Sequence, residues 1–407
     1  PEMSRGLGDV YKRQSNYTGY PTLSTDSYYD FNGTQVAGAA ITELSNKDTS
    51  WETSEQTNIG LDIGIWNRFS LTADIFYKKT TDILMKLPIP PSLIGNVNGG
   101  PYQNAGSMEN KGLELTLNYR QTYRNKMYVD ATFTTTFLRN KILDLKGVSP
   151  VIHASLPIVQ MEGHPVGAYY GYRMAGVYQF DDFTWQNDSD PSVPLQDRVY
   201  TLKEGRPVPS EGSPRPGDLK FADLSGPDGK PDGKIDLDYD RTIIGDPFPD
   251  VSMSLNLNWG WKGIDFNMFW QTVLGRDMYN QGPMVVPFFN DNGNVWKDMV
   301  DKRWTADNPT NRHPRMNYDS KTANTRSSYY IYDASFLRLK NIELGYTLPV
   351  RWTAKLHMSK VRIYAGIQNA WTLTNFPGWD PERPSTNIAS EVYPQIRIYN
   401  FGLNIGF

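Results

Sequence analysis

The chain has 407 residues, 41 Lys and Arg against 44 Asp and Glu, and a net charge of -3. That balance excludes a generally basic nucleic-acid binder, whose phosphate contacts need concentrated Lys and Arg, and zero cysteines exclude disulfide scaffolds, thiolate metal sites and cysteine nucleophiles. Only 39% of residues are apolar while 13% are aromatic, which argues against a packed α/β enzyme core and suits a chain that buries alternate residues.

Residues 1–14 (PEMSRGLGDVYKRQ) show neither alternation nor helical spacing. They are expected to be a cloning or assembly junction and are set apart, leaving residues 15–407 for the fold. No leader peptide is visible, so two readings open: a soluble protein, or a mature or truncated piece of an exported one, which the rest of the sequence favours. From about residue 51 the period is two. In IGLDIGI (59–65) every odd position is apolar, WNR (66–68) interrupts, and FSLTADI (69–75) resumes, which predicts a hairpin. LELTLNY (113–119) is paired with VDATF (129–133), and VSMSLNLNWGW (251–261) turns at Lys262-Gly263 into IDFNM (264–268). IELGYTL (342–348) is paired with VRIYAGI (361–367), and YNFGLNIGF (399–407) ends the chain. The run from Phe336 changes phase at Lys340-Asn341, the mark of a β-bulge.

Any antiparallel sheet with one wet face alternates in this way. Three details favour a transmembrane antiparallel β-barrel over a soluble sandwich or propeller. The runs approach the ~9–11 residues of a tilted membrane strand, against ~5–6 for ordinary strands. Trp66, Tyr77, Trp259, Trp261, Trp270 and Tyr346 stand at run ends, where membrane girdles lie. Short turns alternate with long stretches, two of which, near 181–250 and 275–328, are rich in Pro, Gly, Asp and Asn and are expected to be extracellular loops. The remainder suggests about 12–14 strands.

Catalytic signatures are missing: His153, His164, His313 and His357 are scattered, with no HExxH, GxSxG or P-loop. Around DGKID (232–236) the spacing of Asp228, Asp232 and Asp236 copies part of a calcium loop, but Lys230 occupies a ligand position and Tyr239 replaces the bidentate glutamate. A solvated acidic turn is therefore preferred to a calcium site, and no other cofactor is expected. The loop aromatics Phe288, Phe289, Trp296 and Trp304 suit stacking on sugars, gripping peptides, or packing the loops together.

The spaced motifs resemble the SusC/RagA family of TonB-dependent outer-membrane transporters. They are Trp51-Glu52 with NIGLD (58–62), DIFYKKTTD (74–82), NAGSMENKGLE (104–114), EGHPVG (162–167) running into YGY (170–172), DGKID (232–236), DRTIIGDP (240–247), SFLRLKNI (335–342), LGYTLP (344–349) and QN (368–369). The resemblance spans about residue 51 to the C-terminus and implies a C-terminal partial barrel without its plug domain. It implies import of oligosaccharides or peptides, a SusD-like lipoprotein partner, a TonB complex acting through the missing N-terminal region, and contact with the lipid bilayer; no nucleic-acid partner is expected. Phe401, Leu403, Ile405 and Phe407, alternating up to an aromatic last residue, look like the signal read by the barrel-assembly machinery. The family usually has a shorter acidic loop than the one here. The alternatives are a secreted or surface soluble β-rich binding protein, a passive porin or adhesin barrel and, least favoured, a carbohydrate-active enzyme.

Overall fold

The computed structural model describes residues 21–86, 100–153, 156–185, 192–194, 197–280, 295, 297–316, 325–383 and 394–407. Nine strands form one sheet, numbered here in chain order: β1 (Thr53–Ile65), β2 (Phe69–Lys86), β3 (Tyr102–Thr122), β4 (Tyr128–Asp144), β5 (Val251–Trp261), β6 (Ile264–Leu274), β7 (Phe336–Thr347), β8 (Lys360–Thr374) and β9 (Ile398–Gly406). Each is hydrogen-bonded antiparallel to its sequence neighbours, so the sheet is an unbroken meander. A separate hairpin, Thr22–Phe31 with Thr34–Glu43, precedes it. The described wall thus has fewer strands than the expected 12–14, because β2, β3 and β4 run to 18, 21 and 17 residues and use up chain the length estimate had divided into more strands.

Connections alternate in length. Residues 66–68, 123–127, 262–263 and 348–359 join strands at one end; residues 87–101, 145–250, 275–335 and 375–397 join them at the other. The tight turns of the short end take up left-handed backbone. Trp66 and Asn67 have φ of 53° and 52°, and Lys262-Gly263 has 50° and 87°, the signs that two-residue primed turns require to match strand twist.

Register aligns the apolar positions of neighbouring strands. Leu117, Phe133, Leu255, Trp270, Leu339 and Trp371 form one row across six strands. The bulge expected at Lys340 is present: pairing slips between Leu339 and Asn341 on β7 and is regained on β8 around Asn369, whose φ is 51°. That slip keeps Leu337 on the apolar face and turns Phe336 and Arg338 to the other.

The best-buried core is not in this wall. The connections 145–250 and 275–335 fold into short strands that pack together as a cap, with Tyr169, Val177, Leu219, Tyr279, Trp304 and Tyr330 in one cluster. A four-stranded sheet within it has the order Arg241–Gly245, Ala168–Tyr172, Ile158–Gln160, Val151–Ile152. Segments that lack alternation in sequence are therefore ordered in space, by aromatic packing rather than by a two-faced sheet.

Candidate functional site

The two faces of the wall have opposite chemistry. On one, large apolar side chains stand uncovered: Ile59, Ile75, Leu344, Ile363, Leu403 and Phe401 are all more than half exposed. An uncovered apolar band crossing nine strands would be unstable against water at roughly 25 cal/mol per Å² and is matched by hydrocarbon.

The opposite face is a hydrogen-bonded polar surface. Asn267 donates to Asn256 and Asn258 at 3.1 and 2.7 Å and accepts from Asn341 at 3.2 Å. Thr134 and Ser254 bond at 2.6 Å, and Thr132 donates to Asn118 at 2.7 Å. Nearer the short turns, the Arg362 guanidinium joins Asp265 and, at 2.7 Å, Glu343. This face has no large apolar row to bury, so it suits a water-filled interior.

At the long-connection end the polar face meets a buried charge network. Arg338 on β7 binds Asp380 at 2.7 Å and also pairs with Glu382, while the Lys340 ammonium reaches Glu382 at 2.6 Å. Arg383 donates to the Tyr279 carbonyl at 2.9 Å, and Arg276 donates to the Arg383 carbonyl at 2.7 Å. The sequence DPER (380–383) therefore ties the β8–β9 connection to the inner wall and to the cap. Sequence reasoning missed this network; its one signal was the presence of Arg338 and Lys340 in a strand whose phase changes between them.

Two cavities open here. One, of about 550 Å³, lies where three connections meet, with Met174, Asp298, His313, Tyr329, Tyr332 and Asn375 in its walls. His313 bridges Tyr329 and Asp298, at 2.7 and 2.9 Å, and hydrogen bonds from Lys302, His313 and Arg312 hold the Asp298 carboxyl well below the usual carboxylate range. Burial pushes Tyr172 and Tyr332 up to about 12, and Tyr178, Tyr279, Tyr329 and Tyr330 higher still. Burial also raises the carboxyls of Asp246 and Asp277. The second cavity, of about 400 Å³, lies on the inner face of β1–β4 beneath residues 142–166.

The sequence-derived candidates separate. Trp304 is buried against Phe180 at 5.2 Å and donates to Gln179 at 2.8 Å, so it packs the cap. Phe288, Phe289, Trp296 and residues 1–14 lie outside the described residues. Among the described residues no group of three or more carboxylates or imidazoles is placed to hold a metal ion. In the acidic loop Asp232 accepts from the Lys234 amide, and Asp236 from the amides of Asp238 and Tyr239, so each caps its own turn. Phe401, Leu403 and Ile405 occupy β9 in register with Ala365, Ile363 and Val361, on the apolar face. Phe407, just beyond β9, is 88% exposed.

Comparison with known proteins agrees with this sidedness. Residues 7–370 match the family described as TonB dependent receptor-like, beta-barrel. "TonB-dependent receptor P3" of Formosa agariphila is 32% identical over 98% of this chain and 39% of its own length. "TonB-dependent receptor SusC" of Bacteroides thetaiotaomicron is 26% identical over 98% of this chain and 35% of its own. The structure of the RagAB peptide transporter superposes with a TM-score of 0.73 at 24% identity, over 97% of this chain and 39% of that one. The chain thus spans about two fifths of the length of these relatives. They are receptors and transporters, not enzymes. With a wall apolar outside and polar inside, alternating short and long connections, and a match over most of its length, this chain belongs to the TonB-dependent receptor β-barrel family of the bacterial outer membrane, with SusC among its relatives.

Proposed function

We propose that the chain forms the C-terminal wall and the cap of a SusC-like importer that takes oligosaccharides or peptides across the outer membrane with a SusD-like lipoprotein. The observation that carries this reading is the two-sided sheet beneath a packed cap. An apolar belt faces lipid, a polar face lines the path, and the cap stands over its entrance.

The long connections then face the outside, where a lipoprotein lid would meet the cap. TonB acts through a region of the whole protein on the N-terminal side of this chain. Phe401, Leu403, Ile405 and Phe407 serve as the strand recognised by the barrel-assembly machinery. The likeness to RagAB, a peptide transporter, supports peptides as one cargo class, and the relation to SusC supports the importer type.

The test uses the full-length receptor in cells with and without a SusD-like lipoprotein partner. Uptake of a labelled tetrasaccharide or a labelled pentapeptide is expected to need both proteins and an energised inner membrane. Uptake that persists after the proton gradient is collapsed would instead mark a passive pore.

A further inference from the structure

The smaller cavity differs from everything else on the inner face. Its walls combine one carboxylate, Glu52, one ammonium, Lys78, and an aliphatic and thioether lining that includes Met85, Met108, Ile142 and Leu145. Among the described residues no aromatic ring lines it. A sugar ring in such a cavity would have no flat π-face to stack on, whereas thioethers and branched aliphatics adapt to apolar side chains of varied shape.

The charges are placed at opposite ends. Glu52 stands just before β1, where its carboxylate accepts from the Leu84 amide at 3.2 Å. Lys78 lies on β2 opposite Gln56, and among the described residues no carboxylate pairs with its ammonium. Four residues of strand separate the two levels, about 13 Å at ~3.3 Å per residue. Glu52 leans toward Leu84, away from Lys78, and an ionic contact of about 2.8 Å at each end leaves the ~10 Å of an extended tripeptide between them. Ser54 and Thr80, bonded to each other at 3.1 Å between the two levels, offer further hydroxyl contacts to a peptide backbone.

We infer that this cavity is a subsite for a short zwitterionic peptide with apolar side chains, its carboxylate on Lys78 and its ammonium on Glu52. The assignment deepens the importer reading and rests on it, narrowing the cargo to peptides at this site. A partly enclosed, low-dielectric setting strengthens both ionic contacts relative to water, while the apolar lining selects side chains by shape.

Isothermal titration of the purified full-length receptor with leucyl-alanyl-leucine, its N-acetyl form and its C-terminal amide tests this. The free tripeptide is expected to bind, and each blocked form to bind at least tenfold more weakly. Lys78→Ala is expected to abolish the preference for a free carboxylate, and Glu52→Gln the preference for a free amine, while Lys78→Arg retains the first. Equal binding of free and blocked peptides, no binding of the tripeptide, or isotherms unchanged by both substitutions would overturn the assignment. Octanoate binding that depends on Lys78 but not on Glu52 would overturn it in favour of a fatty-acid site. Continued energised uptake alongside unchanged isotherms removes this subsite and leaves the importer standing; tripeptide binding without any uptake does the reverse.

Discussion

Arg338 and Asp380, 42 residues apart in sequence, meet at 2.7 Å with side chains only 3% and 7% exposed. The pair connects a wall strand to the β8–β9 connection. It exists because the bulge at Lys340 turns Arg338 inward, opposite Thr372, to which it donates at 3.0 Å. Removing Asp380 leaves Arg338 sharing Glu382 with Lys340, so the loss falls below the ~3–5 kcal/mol of a fully broken buried pair. Asp380→Asn is therefore expected to loosen residues 375–383 in the full-length receptor, seen as faster amide exchange there, with β1–β4 unaffected. Unchanged exchange across 375–383 would show that the pair is dispensable.

The sidedness of the wall makes a paired prediction. Leu255 lies in the middle of the apolar row and Asn256 is its inward neighbour. Leu255→Arg is expected to destabilise the bilayer-inserted barrel by about 2–4 kcal/mol, while Asn256→Arg, facing the polar interior, costs far less. Urea unfolding in lipid vesicles measures both. Equal losses would mean that the faces are misassigned.

The cap tyrosines predict a split titration. Tyr172 and Tyr332 are pushed up to about 12 by burial, so their phenols stay protonated at a pH where a free phenol, of pKa about 10, has ionised. Because the folded values exceed the unfolded one, the stability they contribute is fully present below about 10. It is lost as pH rises through about 12. Absorbance near 295 nm should rise in two steps, the second coinciding with loss of near-ultraviolet dichroism. A single step near 10 would place these rings in water.

Strand β9 makes an assembly prediction. Phe407 is 88% exposed and Phe401 is 82% exposed on the apolar side. Phe407→Ala in the full-length receptor is expected to lower the heat-modifiable fraction in the outer membrane several-fold while leaving synthesis unchanged. Normal insertion of the variant would leave β9 as an ordinary amphipathic strand.

The isolated chain should not conduct. Among the described residues β1 and β9 each have one hydrogen-bonded neighbour, and unpaired backbone edges are not tolerated in hydrocarbon. Liposomes containing this chain alone are expected to show no flux of a labelled pentapeptide above empty vesicles; measurable flux would require a closed pore.

Alternation of Leu255, Leu257 and Trp259 with Ser254, Asn256 and Asn258 was sufficient by itself to establish strands, their two faces, the tight turn at Lys262-Gly263 and the bulge at Lys340, because a period of two is a local property of the pleat. The family motifs were legible for the same reason, being contiguous. The cap was not. Tyr169, Tyr279 and Tyr330 lie in segments without period, and nothing local records that the Tyr279 ring packs against both of the others. Contacts between distant segments depend on how the chain returns, and that is decided only when the wall sets where each connection begins and ends.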